Sequence, residues 1–284
     1  MVMRRIGRTA LCVAVLFVAG CNQQPTVAPP FSDLQLQQLS GKIQQVNAKV
    51  YVIERSADMA AALSTPDSWL PPADLPARTA DGDAARTEQE MHFDHAGNLL
   101  SSRFIIPASD AKSMHAEALI SVSQQAPGLR SVQCAMTMGG SGSEHRFGCG
   151  SGEWRYLSPG ISRRELKSAT SDTSWEEQYD ARGRMTISDH RIVNKDEVAG
   201  KAPRDFTEHK VAQAYDAQGR VTASRGTRNG EDRYNYVLYL APDRLGNPQR
   251  MLLLSSTSAD RRDLASLKRV ELLIITYTYY DEIR

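Results

Sequence analysis

One short pattern limits what this chain can fold into, because the chain states it more than once. Trp175–Met185 reads WEEQYDARGRM, and Ala212–Val221 repeats it as AQAYDAQGRV. Looser echoes are MHFDHAGNLL at Met91–Leu100 and LAPDRLGNPQ at Leu240–Gln249. The shared element is Asp-x-x-Gly, at Asp94/Gly97, Asp180/Gly183, Asp216/Gly219 and Asp243/Gly246. Aspartate at the first turn position accepts hydrogen bonds from the backbone N–H groups just ahead. Glycine takes the positive-φ site that closes a type I turn with a bulge. Flanking alternation of polar and apolar residues makes each copy the tip of a β-hairpin. The expected fold is mainly β: an antiparallel, strongly twisted sheet of consecutive hairpins with one packed helix, forming a single body over residues 32–284.

Composition supports a buried core and excludes some partners. Of 284 residues, 41% are hydrophobic and 24% charged, an ordinary globular balance. The formal charge is +1, and Arg4, Arg5 and Arg8 in the leader contribute three of its positive charges, so the remainder is mildly acidic. That balance favours no nucleic acid. Doublets such as Arg163-Arg164 and Arg261-Arg262 read as solvated faces.

The first residues carry the most specific address. Met1–Arg8 holds three arginines and no acid, and Thr9–Ala19 is an apolar run too short to span a membrane comfortably. It ends Val18-Ala19-Gly20-Cys21, which resembles the bacterial lipobox. The resemblance implies residues 1–20 as a lipoprotein signal peptide and lipidation of the Cys21 thiol. Multiple acyl chains there anchor a protein stably, where one chain is marginal. Asn22 in place of the aspartate that retains such proteins at the inner membrane points to the outer membrane. Residues 21–31, rich in proline and polar side chains, form a tether.

Beyond the tether, Ser32–Lys42 carries apolar residues at helical spacing before the β-branched alternation of Val46, Ala48, Val50 and Val52. A short helical turn and then a strand from about Lys42 to Glu54 are expected. Residues 60–86 hold Pro66, Pro71, Pro72 and Pro76 and read as an irregular loop, pinned to the body by Trp69. Met114, Ala118 and Val122 lie four apart between a capping Ser109 or Asp110 and Pro127-Gly128, which predicts a helix over 110–125. Leu129–Leu157 reads as a hairpin tipped by Gly139–Ser143. Pairing residues whose numbers sum to 283 sets Met138 opposite His145 and Cys134 opposite Cys149. In an exported chain that predicts a Cys134–Cys149 disulfide. Residues 171–284 are a hairpin series, and Val270–Tyr280, apolar on both faces, belongs between two other strands.

The Tyr179-Asp180-x-x-Gly183-Arg184 and Tyr215-Asp216-x-x-Gly219-Arg220 segments resemble the YD repeats of Rhs-type proteins. With the lipobox, the layout is similar to YD-repeat bacterial lipoproteins and to enterobacterial lipoproteins of the YnfC type. The resemblance implies a fold and a location and carries no catalytic residues.

No constellation in the sequence meets the requirements of chemistry. His92-x-x-His95 straddles a turn and has no second ligand pair. His145 with Cys134 and Cys149 loses its thiols to the disulfide. The 139–143 glycines lack the lysine and helix of a phosphate loop. Glu176 and Glu177 face opposite sides of a strand. The expectation is therefore no catalytic residue, metal or cofactor. The chain reads as a lipid-anchored envelope protein, a non-catalytic scaffold or interaction module whose contacts are the membrane, through Cys21, and an envelope protein partner. The alternatives are an envelope hydrolase and a lipid or ligand carrier, the last requiring a sheet curled around an apolar cavity.

Overall fold

The computed structural model describes residues 26–29, 31–75, 85–107, 115–140, 143–195, 205–260 and 263–280. The expected signal peptide, Cys21 and the first residues of the expected tether lie outside the described residues, and Thr26, Val27 and Phe31, expected in that tether, are instead packed against the body. The chain opens with a one-turn helix, α1 (Asp33–Leu36), and strand β1 (Ile43–Ile53), then helix α2 (Ser56–Ser64). Four strands follow: β2 (Arg86–Phe93), β3 (Leu99–Ile106), β4 (His115–Ala126) and β5 (Leu129–Gly140). Next come β6 (Ser143–Ser158), β7 (Ile161–Lys167), β8 (Ser171–Tyr179), β9 (Met185–Asn194) and β10 (Phe206–Tyr215). The chain closes with β11 (Val221–Arg228), β12 (Glu231–Pro242), β13 (Pro248–Ser256) and β14 (Leu267–Tyr279).

Each strand pairs antiparallel with its sequence neighbours, and β14 pairs with β1, so the sheet is a closed up-and-down barrel of 14 strands. This overturns the expected open sheet of hairpins. The pairing that closes it runs from Ile43 opposite Tyr279 to Ile53 opposite Val270. It joins the two ends of the sheet, and it removes both edges that an open sheet would expose. The doubly apolar β14 lies between β1 and β13, which pair with both its edges.

The expected helix at 110–125 is also overturned. Residues 115–126 form β4, and 110–114 lie outside the described residues. A spacing of four fits a strand's period of two as well as a helix. Ala118 and Val122 share one face of β4, paired with Met136 and Val132 of β5. The irregular loop expected at 60–86 is corrected at its start, because α2 runs to Ser64.

The N-terminal segment identifies the inside of the barrel. The Val27 N–H donates to the Tyr156 carbonyl (3.0 Å) and the Leu34 N–H to Gly97 (3.1 Å). The Gln38 amide donates to the Gly183 carbonyl at 3.0 Å, and the Ser40 N–H to the Asn247 side chain at 2.7 Å. These partners belong to hairpins spaced right around the ring, all at the same end, so residues 26–29 and 31–41 cross that end as a cap. Ser32 and Gln35 form a reciprocal capping box that starts α1. Phe31 covers Gly183, whose φ is +72° and whose missing side chain leaves room for the ring. Leu34 packs with Val46, Ala48 and Ile275, and Leu36 with Val122, Val132, Trp154 and Tyr156. Those wall residues share one register face, which is therefore the inner one.

The outer face is charged. Lys49 pairs with Glu88, Glu90 with Arg103, and the row Arg163, Glu176, Asp189, His209 crosses β7 to β10. Two apolar rows interrupt it: Tyr51, Leu272, Leu252 and Leu238, and beside them Ile53, Val270, Leu254 and Tyr236. Met59 and Leu63 of α2, with Trp69, pack over these rows and leave Leu252 and Leu272 fully buried. Covering them removes a contiguous apolar patch that water would otherwise meet.

The repeats lock each hairpin to the next. In all four copies the Asp backbone accepts from the Gly N–H, at 2.9–3.0 Å. The hydroxyl of Tyr215 donates to the carbonyl of Met185, five residues after Asp180. Tyr239 makes the same bond to Val221, five after Asp216, and Tyr277 to Pro248, five after Asp243. Arg184 and Arg220 each bind the aspartate of their own tip and cover Tyr215 and Tyr239 respectively. Burial alone would raise the Asp180 carboxyl, but the Arg184 N–H and guanidinium and the Arg182 N–H outweigh it and hold it below its ordinary range. At Asp243 burial is likewise outweighed, by the Tyr279 hydroxyl and the Asn247 and Leu245 N–H groups. Carboxylates depressed in the folded state stabilise it above the unfolded pKa of about 3.9, and that contribution is lost as pH falls through the folded values. Stability should therefore drop in acid below about pH 4, and the Asp180→Asn, Asp243→Asn variant should show a shallower drop when urea midpoints are measured against pH.

Cys134 and Cys149 form a disulfide between β5 and β6, with Cα atoms 5.1 Å apart. The register is that expected at Met138 and His145, but a bulge places Cys134 opposite Gly150 rather than Cys149.

Candidate functional site: the inner wall of the barrel

Two kinds of wall face the lumen. From β12 round through β14 and β1 to β5, Thr87, Gln89, Ser102, Asn235, Ser255 and the Arg269–Glu271 pair interrupt inward residues that are otherwise mostly apolar. The apolar ones include Val237, Leu253, Leu273, Val50, Met91 and Ile120, all partly accessible, and Phe104 at 40% exposure. Small barrels of about eight strands are filled by their own side chains, and interior width grows with strand number. Fourteen strands leave these apolar side chains incompletely covered.

From β5 to β11 the wall is aromatic and cationic. Arg130 lies over Trp154 at 4.8 Å, and Arg164 over the other side of Trp154 at 4.9 Å and over Trp175 at 5.5 Å. Trp175 stacks on His190 at 4.7 Å, His190 meets the edge of Phe206 at 5.1 Å, and Arg228 lies over Phe206 at 5.1 Å. This belt crosses seven strands. It starts at Arg130, beside the capped end, and finishes at Arg228, the last residue of β11 at the opposite end. Tilted strands carry a hydrogen-bonded row along the axis as it goes round, so the belt is a ramp rather than a ring.

Arg130 ties the belt to the cap. It is 3% exposed and donates to Asp33, 2% exposed, at 2.7 Å. Asp33 also accepts from the Leu99 N–H and the Tyr156 hydroxyl. Farther along, Arg164 pairs with Glu177 at 3.1 Å and Lys210 with Glu208 at 2.7 Å. Burial lowers the His190 imidazole, Glu208 opposes that shift, and Lys210, Arg164 and Arg228 add to it. Three belt nitrogens are buried with no hydrogen-bond partner: Trp154 Nε1, Arg164 Nε and His190 Nε2.

The outer face offers a weaker candidate. A groove of about 520 Å³ over β7 to β11 contains His209, bonded to Asp189 at 2.7 Å. Both are close to half exposed, and Ser174 sits one row away, opposite Glu165 and Arg191. That is an ion pair on a solvated surface, without a nucleophile held against its imidazole.

The turn residues Asp94, Gly97, Asp180, Gly183, Asp216, Gly219, Asp243 and Gly246 all lie at the capped end. The sequence did not single out the belt as a site. Its signal was present in the alternation of β6 to β10, but became readable only once the hairpin tips fixed which residues face each other. Among the described residues no group of three His, Cys, Asp or Glu is placed to hold a metal ion. His92 contacts Glu90 at 2.7 Å while His95 stacks on Tyr280 at 3.8 Å.

No family model matches the chain, and no curated protein matches it. Among solved structures it is similar to a porin-like protein from Bacteroides uniformis, with 8% identity and a TM-score of 0.35, over 83% of this chain and 98% of that one. A likeness so distant carries no argument here.

Proposed function

We propose that the protein is a non-catalytic binding barrel for an amphiphilic small molecule, held in the bacterial cell envelope by lipid on Cys21. One observation carries the reading: the polarity of the wall. A membrane-spanning barrel turns an apolar band outward and a polar lumen inward. Here the outward rows carry ion pairs, and among the described residues the apolar outer rows of β1, β12, β13 and β14 are roofed by α2 and Trp69, while much of the inward wall of those strands and of β2 to β5 is partly accessible hydrocarbon. Such a barrel stands in water and shelters an apolar ligand. The few residues between Cys21 and Thr26 fit this role, since a lipid on Cys21 would hold the body near a membrane without inserting it.

Binding is tested by titrating the mature chain with a fluorescent long-chain fatty acid. Saturable binding is expected, with Phe104→Asp weakening it at least tenfold by placing a charge on the apolar wall. Absence of saturable binding would overturn the reading. The anchor is tested separately. Cys21→Ser should abolish acyl labelling and leave an uncleaved precursor, and normal processing of that variant would remove the lipid from the proposal.

A further inference from the structure

We infer that the belt at Arg164, Trp175 and His190 is the seat of an acidic head group, so that the ligand is a carboxylate or phosphate on an apolar tail. The inference rests on the binding-barrel reading and adds the ligand's chemistry to it. Arg164 and His190 flank the same indole, that of Trp175, from adjacent strands. Each has a ring or guanidinium nitrogen without a partner, as does the 5% exposed Trp154 on the other side of Arg164. Buried donors left unpaired are costly, and a ligand acceptor relieves that cost at Arg164 and Trp154, and at His190 in the tautomer or charge state that puts the proton on Nε2. The surrounding charges are Arg164, Lys210 and Arg228 against Glu177 and Glu208, an excess of positive charge facing His190. The apolar wall of β1 to β5 and β12 to β14 faces this belt across the lumen and would take the tail. A neutral amphiphile would satisfy the wall but bring no charge to meet the excess of positive charge, and its hydrogen bonds to these donors would lack the strength that an ionised acceptor gives.

The test compares dodecanoate, dodecyl phosphate and dodecanol on the full mature chain by calorimetry, with the His190 resonance followed by NMR. Either acid is expected to bind at least tenfold tighter than the alcohol, and the tighter of the two identifies the head group. An anion at this seat should also raise the His190 pKa. Arg164→Gln should erase the preference for acid. His190→Gln should reduce the preference, and near-UV circular dichroism checks that both variants keep their packing. Equal affinity for acid and alcohol would overturn the acidic seat and leave the binding barrel standing. Failure of all three to bind would overturn both.

Discussion

Asp33→Ala is expected to destabilise the protein by about 3–5 kcal/mol, because it removes one half of a buried ion pair and leaves the other. Arg130 and Asp33 are both almost fully buried, and the guanidinium is already enclosed by Trp154 and Tyr156. Without the carboxylate it keeps its charge, since arginine does not deprotonate in proteins. The Leu99 N–H and the Tyr156 hydroxyl lose their acceptor in the same change. Urea unfolding measures the loss. Hydrogen exchange at Leu34 and Leu36 should rise in step, because α1 is held by these bonds. The double variant Asp33→Leu, Arg130→Met should recover most of the stability, since replacing a whole buried pair by apolar residues is often neutral. A single variant as stable as the parent would show that the cap does not depend on this pair.

Loss of the Cys134–Cys149 bridge comes next in size. The cysteines are 15 residues apart, and closing a loop of that length contributes roughly 3 kcal/mol in the chain-entropy account. Cys134→Ser with Cys149→Ser should lower the unfolding free energy by that order. Added reductant should lower the parent to the same level and leave the variant unchanged. Mature parent protein that alkylates at two thiols without reductant would contradict the bridge.

What was legible in the sequence was local. Asp180 and Gly183 announce a turn by themselves, because the hydrogen bonds that Asp makes reach no further than four residues ahead. The β1–β14 pairing was not legible, because it joins residues more than 200 positions apart and depends on nothing in either strand alone. β4 was misread because Met114, Ala118 and Val122 satisfy both periods. Only its neighbours decided, β3 and β5 each offering it a full ladder of hydrogen bonds. The belt falls between these cases. Trp154, Arg164, Trp175 and His190 are ordinary inward positions of four strands, and their chemistry exists only in the register that brings them side by side.

With lipid on Cys21, as proposed, the cap would also decide which way the molecule stands. The chain enters the barrel at Thr26 and Val27, which are bonded to Pro127 and Tyr156 at the end where the hairpin tips gather. A lipid on Cys21 would leave only a few residues of slack, each spanning at most about 3.6 Å. The barrel would then be a goblet on a short stem, its base of hairpin tips toward the bilayer and its far rim, where the belt ends at Arg228, turned to the aqueous side. A cargo entering by that rim would be exchanged with whatever reaches across the compartment, and not with the leaflet in which the stem is rooted.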